Sequence, residues 1–474
     1  MRRIQIPLAK KFGNARSATL QSLTNLYGEP IESEGRTNWT LYGTPARVLF
    51  STIGGGAVRG QIEALDICYA VVGTRLYSVS TDGTASDLGG IEGADPVDMS
   101  FNGTNVCVVA ELKSYTYTPS TLTLAEVVDP DFEQATSTAS LSNYTFTTVR
   151  NSGRFRWSAL ADATSWDALD FSTAEAESDS LVAIRKSGNE LVLLGKETTE
   201  WWYITGDTDN LLQRTSTAAA TIGCVSRDAA VLVDNALTWV GRDGKAGGIS
   251  VYRAEGYSPK KISDSDVDIL LEAVSDLGDL NAFAYQQQGH LFYVLNNPGE
   301  WSVTWDIMTG QWSWRKSGSW SMGALPLGGW DASTFAINNN KQIVGASDGN
   351  LYHLQANVLS ESGVGIIREV TCPQIHNGGR RQFMHKLQLD IKTGVGLSSG
   401  QGSDPVAFVS HSDDGGATWS DPRSANIGAT GQYKWRATWN VLGSYRERIF
   451  KFRVTDPVEV VILGAWADVT DGAF

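Results

Sequence analysis

Residues 67–83 read ICYAVVGTRLYSVSTDG, and the fold is decided there. Apolar side chains fill Ile67, Tyr69, Val71 and Val72, Gly73-Thr74 turns the chain, Leu76, Tyr77 and Val79 follow, and Asp82-Gly83 turns it again. Short apolar runs joined by tight Gly- and Asp-bearing turns specify a β-meander.

The unit recurs downstream in looser form. Asn105–Ala110 precedes Ser114–Thr118, Arg154–Leu160 precedes Ala168–Phe171, Glu190–Leu194 precedes Glu200–Ile204, and Ala230–Val233 turns at Asp234-Asn235 into Leu237–Val240. His290–Leu295, Ser302–Asp306 and Gln311–Arg315 form another set, and Thr334–Ile337, Gln342–Ala346 and Leu351–Leu354 the last. Unit starts near Ile62, Val97, Phe146, Leu181, Ile222, Ala282 and Thr334 suit four-stranded blades. The expectation is an all-β chain with a β-propeller of six or seven blades over 61–356. Residues 1–60 read as an extended N-terminal arm that packs on the propeller or on a neighbour. From Asn357 the runs lengthen and alternate, which suits a C-terminal antiparallel β-sandwich-like domain over 357–474. Asp264–Leu280 is the best candidate for a helix, with Asp264 as its cap.

Composition narrows the function. With 52 acidic against 38 basic residues the formal charge is −14, and basic residues cluster only in the first eleven positions and at Arg380-Arg381, so tight binding of phosphate backbones is not expected. No apolar run reaches membrane-spanning length, and MRRIQIPLAKKFG lacks the apolar core of a signal peptide, so neither export nor membrane insertion is expected. Cys68, Cys107, Cys224 and Cys372 are scattered, as reduced, packed thiols are. The five histidines form no HExxH pattern; Cys372 with His376 has only a loose ligand spacing, no GxSxG elbow occurs, and Gly54-Gly55-Gly56 lacks the Gly-Lys-Ser/Thr of a phosphate loop. No cofactor, metal site or catalytic residue is expected.

Ser412, Asp414, Gly416, Thr418 and Trp419 spell S-x-D-x-G-x-T-W, which resembles the Asp-box turn. The Asp414 carboxylate suits backbone N–H groups, Gly416 permits positive φ, and Trp419 covers the hairpin. Sialidases carry such boxes, so a carbohydrate-binding or sialidase-like propeller is the alternative reading. Arg150, Arg154 and Arg156 would be its candidate arginine cluster, although their two-residue spacing also fits a solvated or subunit-facing stripe. The tryptophans Trp157, Trp166, Trp201, Trp202, Trp239, Trp305, Trp312, Trp314, Trp320 and Trp330 recur with the blades and are expected to fill space between them.

An ordered series of short motifs carries a more specific resemblance. Asn25-Leu26-Tyr27, Leu41-Tyr42-Gly43-Thr44-Pro45 and Gly54-Gly55-Gly56 lead into the opening meander. Phe155-Arg156-Trp157-Ser158, the string from Trp166 to Phe171, Thr173-Ala174-Glu175, Glu200-Trp201-Trp202, Asp234 to Trp239, Gly256-Tyr257-Ser258-Pro259, Gly289 to Val294 and Trp305-Asp306 with Thr309-Gly310-Gln311-Trp312 follow. The set resembles the packaged-DNA stabilisation, or tail hub (nozzle), proteins of short-tailed bacteriophages. That resemblance implies a structural, non-enzymatic virion protein of the tail, assembled in the host cytoplasm. It implies a homo-hexamer below the portal and head-to-tail adaptor, bearing tail spike, fibre or needle proteins. Packaged double-stranded DNA would be held in its channel without sequence-specific binding until ejection. A channel wall that is neutral or acidic is then expected, with Arg2, Arg3, Lys10 and Lys11 on the arm.

Overall fold

The computed structural model describes residues 2–7, 20–31, 39–174, 179–207, 210–244, 247–318 and 328–472. Among the described residues seven antiparallel blades, each four strands deep, stand in a ring, and their innermost strands touch in cyclic order. Blade 1 holds Val58–Ala64, Ile67–Val72, Arg75–Val79 and Ala85–Gly90; blade 2 runs from Asp98–Phe101 to Thr123–Glu126, and blade 3 from Ala135–Leu141 to Asp162–Thr173. Blade 4 spans Leu181–Ser187 to Leu212–Ala220. In blade 5 the inner edge is shared by Ile222–Cys224 and Val231–Val233, both paired with Ala236–Asp243. Blade 6 runs from Asn281–Gln287 to Gln311–Trp314, and blade 7 begins at Thr334–Asn338.

The opening stretch forms the second and third strands of blade 1, and its Gly73 and Gly83 turns both take positive φ. Blade 3 starts earlier than its apolar pattern suggests: Phe146 lies on the second strand, and the innermost strand is Ala135–Leu141, ATSTASL. A hydroxyl-rich strand carries no apolar signal, yet Ser137 and Thr138 are buried here because their side chains find partners on neighbouring blades.

The sequence reading keeps residues 1–60 outside both folded units, whereas the described strands of that stretch lie within them. Ala46–Ser51 pairs with Leu351–Gln355 as the outer strand of blade 7 and so closes the ring with the chain's own beginning. Arg2–Ile4 pairs with Val461–Asp471, Leu26–Pro30 and Trp39–Gly43 join the same sandwich sheet, and Ser22–Thr24 enters the other. The physical reason is burial. Ile4, Leu23, Leu26 and Leu41 are apolar plugs in the sandwich core beside Leu387, Phe450 and Phe452, each stabilising by roughly 1.5–3 kcal/mol, and polar linkers between them hide the pattern in sequence.

The two sandwich sheets therefore draw on both ends of the chain. One is ordered Leu26–Pro30, Trp39–Gly43, Val461–Asp471, Gln382–Ile391, Ala437–Asn440; the other Ser22–Thr24, Arg368–Thr371, Glu447–Val454, Val406–Ser412, Arg423–Asn426. Thr24 also pairs with Trp314, the outer strand of blade 6, so a single hydrogen-bonded sheet runs from the propeller into the sandwich. The last strand of the first sheet begins at Ala437, leaving Tyr433–Arg436 as an exposed loop.

The helix is shorter than its apolar spacing suggests. It spans Ser265–Glu272, with the Asp264 carboxylate accepting from Val267 N at 2.9 Å. Beyond Ala273 the Asp276 side chain takes Gly278 N and starts a separate 3-10 turn, Leu277–Asp279, so side-chain capping outcompetes a further helical turn.

Candidate functional site

The S-x-D-x-G-x-T-W turn sits at the edge of the sandwich, between Val406–Ser412 and Arg423–Asn426. Asp414 accepts from Thr418 N at 2.9 and 3.0 Å, from Thr418 Oγ1 at 2.5 Å and from Ser412 Oγ at 2.6 Å. Hydrogen bonds from Ser412 and Thr418 hold its carboxyl well below the usual range. Ser412 Oγ in turn accepts from Gly416 N at 2.8 Å, and Gly416 takes φ +93. Trp419 is half-buried with Lys451 Nζ 4.1 Å over its ring. The neighbouring Asp413, itself exposed, accepts at 2.6 Å from both Nε and Nη2 of the buried Arg448. One carboxylate thus folds the turn and the other anchors it to the sheet.

The three arginines of the alternative reading are committed to structure. Arg150 Nη1 donates to Glu111 O at 2.8 Å, Arg154 pairs with Glu133 at 2.9 Å and stacks over Phe171, and the buried Arg156 donates to the carbonyls of Asp131 and Asp167. Cys372 is fully buried in the sandwich while His376 is exposed. All four cysteines are free and buried, and desolvation pushes each thiol up to about 12. Trp166, Trp201, Trp202, Trp239, Trp305, Trp312 and Trp330 are buried, Trp157 and Trp314 half-buried, and Trp320 lies outside the described residues. Arg3 lies on a sandwich strand, as does the backbone of Arg2, while Lys10 and Lys11 fall outside the described residues.

Two arrangements escape the sequence motifs. At the propeller's centre the inner strands of six blades line a cavity of about 680 Å³, with Arg59, Asp98, Arg185, Asp228 and Asp331 among its walls. Asp98 lies 2.8 Å from Arg185 Nη1 and accepts from Ser137 Oγ at 2.5 Å and Thr138 N at 3.0 Å. Burial alone would raise its carboxyl, but Arg185, Arg227 and these hydrogen bonds together hold it below the ordinary value. Arg227 grips Asp228 bidentately at 2.8 and 2.9 Å and donates to Thr136 O and Pro96 O, so blades 2 to 5 are tied at one face. The sequence signal was a lone arginine within the apolar strand LVAIRKS.

The second arrangement joins propeller to sandwich. Asn25, left-handed at φ +56, stands where the chain crosses between the two sandwich sheets. Its Nδ2 donates to Ile367 O at 2.8 Å and Lys316 O at 3.0 Å, and its Oδ1 accepts from Lys316 N at 3.0 Å. Arg315, 1% exposed, reaches Thr44 Oγ1 and Pro45 O and stacks 4.1 Å over Trp330. Glu361 faces Arg315 and Arg47, and burial beside Arg315 lowers Arg368 to about 10. These groups position backbones and offer no open catalytic pair.

No curated protein sequence matches the chain. Among solved structures, the computationally designed Ika8 protein matches at 15% identity and TM-score 0.40, covering 65% of this chain and 100% of its own. A chain of the Mitotic Checkpoint Complex (12%, 0.37) and the Neurospora crassa Pan2 WD40 domain (9%, 0.41) each cover 69% of this chain and 98% of their own. Scores this low carry no functional weight. The family comparison does: residues 4–359 match the family described as bacteriophage P22 Gp10, beta-propeller, and residues 367–470 match bacteriophage P22 Gp10, beta-sandwich. The chain belongs to this bacteriophage P22 Gp10 family, the packaged-DNA stabilisation or tail hub proteins, and is a structural protein of the phage tail.

Proposed function

We propose that six copies of this chain form a ring below the portal and head-to-tail adaptor, extend the tail channel, and retain packaged DNA until ejection. The observation that carries the reading is the sheet continuous from blade 6 through Ser22–Thr24 into the sandwich, sealed by the Asn25 and Arg315 contacts. A wall around pressurised DNA has to resist bending between its parts, and a strand bridged at Thr24 and Trp314 and locked by buried side chains does so better than a free linker. The central cavity of the propeller has the volume of a small-molecule pocket, so the DNA path runs between copies along the ring axis and not through a propeller. Retention is then a matter of a narrow constriction, since a subunit of charge −14 repels phosphate. In this reading residues 61–356 and 357–474 are the two working units, each completed by strands from 1–60, and the turn at Ser412, Asp414, Gly416, Thr418 and Trp419 is structural. Spike, fibre or needle proteins attach to the outside of the ring, and assembly takes place in the host cytoplasm. Mass photometry of the purified protein, alone and with portal–adaptor complexes, tests it: a hexamer is expected in at least one condition, and a strict monomer that ignores the adaptor overturns it.

A further inference from the structure

The charge is unevenly spread along the chain. Residues 357–474 hold 12 Lys and Arg against 12 Asp and Glu, so the whole excess of −14 lies in residues 1–356. The sandwich is tied to the ring at blades 6 and 7, through Ser22–Thr24 and Ala46–Ser51. In a ring of seven, the position across from that junction is blade 3.

Blade 3 ends in the strand Asp162–Thr173, twelve residues long, whose outer edge pairs with no other strand among the described residues. Leu169 is 82% exposed and Phe171 38%, with Asp167 exposed and Asp170 half-buried beside them. Of the two arginines on the adjoining strand, Arg154 is matched by Glu133, and the buried Arg156 is spent on the carbonyls of Asp131 and Asp167. A long, exposed edge with apolar and acidic side chains is a surface that wants a partner.

The far edges of the sandwich sheets are Arg423–Asn426 and Ala437–Asn440, the strands most distant from Ser22–Thr24 and Leu26–Pro30. The loop between them presents Tyr433, Lys434, Trp435 and Arg436, all exposed. It is held in shape: Trp435 Nε1 donates to Asn426 O at 2.8 Å, Thr393 Oγ1 donates to Tyr433 O at 2.9 Å, and the Tyr433 ring lies against Gly394. Neither Lys434 nor Arg436 has a carboxylate partner among the described residues. Two fixed aromatics flanked by two free cations make an anchor that needs little ordering on contact.

We propose that the Tyr433–Arg436 tip of one copy docks on the outer strand Asp162–Thr173 of the next, the cations against Asp167 and Asp170 and the aromatics against Leu169 and Phe171. The inference rests on the ring reading above and names its repeating contact. Because the two surfaces differ and stand at opposite poles, the contact is heterologous and propagates from copy to copy until the ring closes. Complementary charge also directs the head-to-tail orientation over tip-to-tip or edge-to-edge pairing.

The test is a charge exchange on the full chain, with assembly read by mass photometry and folding by thermal melting, alone or on the portal–adaptor complex, whichever condition assembles the wild type. K434E/R436E and D167K/D170K are each expected to need at least about tenfold more protein to assemble, while an equimolar mixture assembles as alternating copies. Since Asp167 also accepts from Leu169 N, Leu169→Arg serves as the second edge variant and is expected to block assembly while melting as wild type does. Folded variants that assemble like wild type overturn the interface alone, as does a tip variant that forms rings normally but loses a sugar or nucleic-acid ligand. A wild-type protein that forms no ring under any condition overturns the ring reading as well.

Discussion

Asn25 Oδ1 accepts a hydrogen bond from Arg315 Nη1 at 3.1 Å across 290 residues of sequence, and through it the start of the chain fixes the angle between propeller and sandwich. Both residues are buried, so the carboxamide joins Arg315-Lys316 to Ile367 with no competition from water.

Asn25→Ala removes these bonds, leaves Ile367 O and Lys316 N without their partner, and places alanine at positive φ. A loss of about 3 kcal/mol is expected from one or two buried groups left unpaired plus the left-handed backbone. Urea unfolding should show it as a lower midpoint. A shift worth under about 1 kcal/mol would mean that water replaces the side chain.

Gly83, at φ +91 in the opening meander, packs so that a Cβ would run into Phe50 O on the ring-closing strand. Gly83→Ala should therefore cost about 2 kcal/mol or more through strain and overpacking, and limited proteolysis should cut first near residues 46–51. Wild-type proteolysis of this variant would show that the closure tolerates displacement.

His290 Nδ1 lies 2.9 Å from Asp306 Oδ2, and this hydrogen bond, opposed by burial and aided by the Asp306 and Glu29 charges, raises the imidazole above its ordinary value. A group with a raised folded value contributes stability that is complete below the unfolded value of about 6.5 and is lost as pH rises through the folded one. Melting temperature should therefore fall from pH 6 upward by more in wild type than in His290→Gln. Parallel curves would show that the pair does not titrate in this range.

Asp414→Ala should lower the melting of the sandwich by releasing Thr418 N and Ser412 Oγ, an effect limited by the exposure of the turn. Sialidase and glycosidase assays should be flat for both proteins. Hydrolysis present in wild type and absent from the variant would restore the sugar-processing reading.

Isolated protein should bind duplex DNA no more tightly than about 1 µM at physiological salt. Submicromolar binding, or a ring lumen lined with Lys and Arg, would replace retention by constriction with electrostatic grip.

The blades were legible because their strands alternate and their turns carry Gly, Asn and Asp, as Asp234-Asn235 at φ +49 and +55 shows. Hydroxyl-rich Ala135–Leu141 was illegible, since threonine and serine signal burial only once their partners on adjacent blades are known. The fate of residues 22–51 was illegible for the same reason: strands of three to six residues hold no record of which distant edge they will complete. Asp98, Arg185 and Arg227 became a group only when four blades met.

Ring closure by Ala46–Ser51 has a consequence for synthesis. This strand leaves the ribosome some three hundred residues before Leu351–Gln355, and Arg2–Ile4 precedes its partner Val461–Asp471 by nearly the whole chain. Blades 1 to 6 can stack as they emerge, but the last blade waits for Leu351–Gln355 and the sandwich for Val461–Asp471. The nascent chain thus carries open strand edges at both units while the strands between are made, and the fold is complete only once Val461–Asp471 has joined Arg2–Ile4.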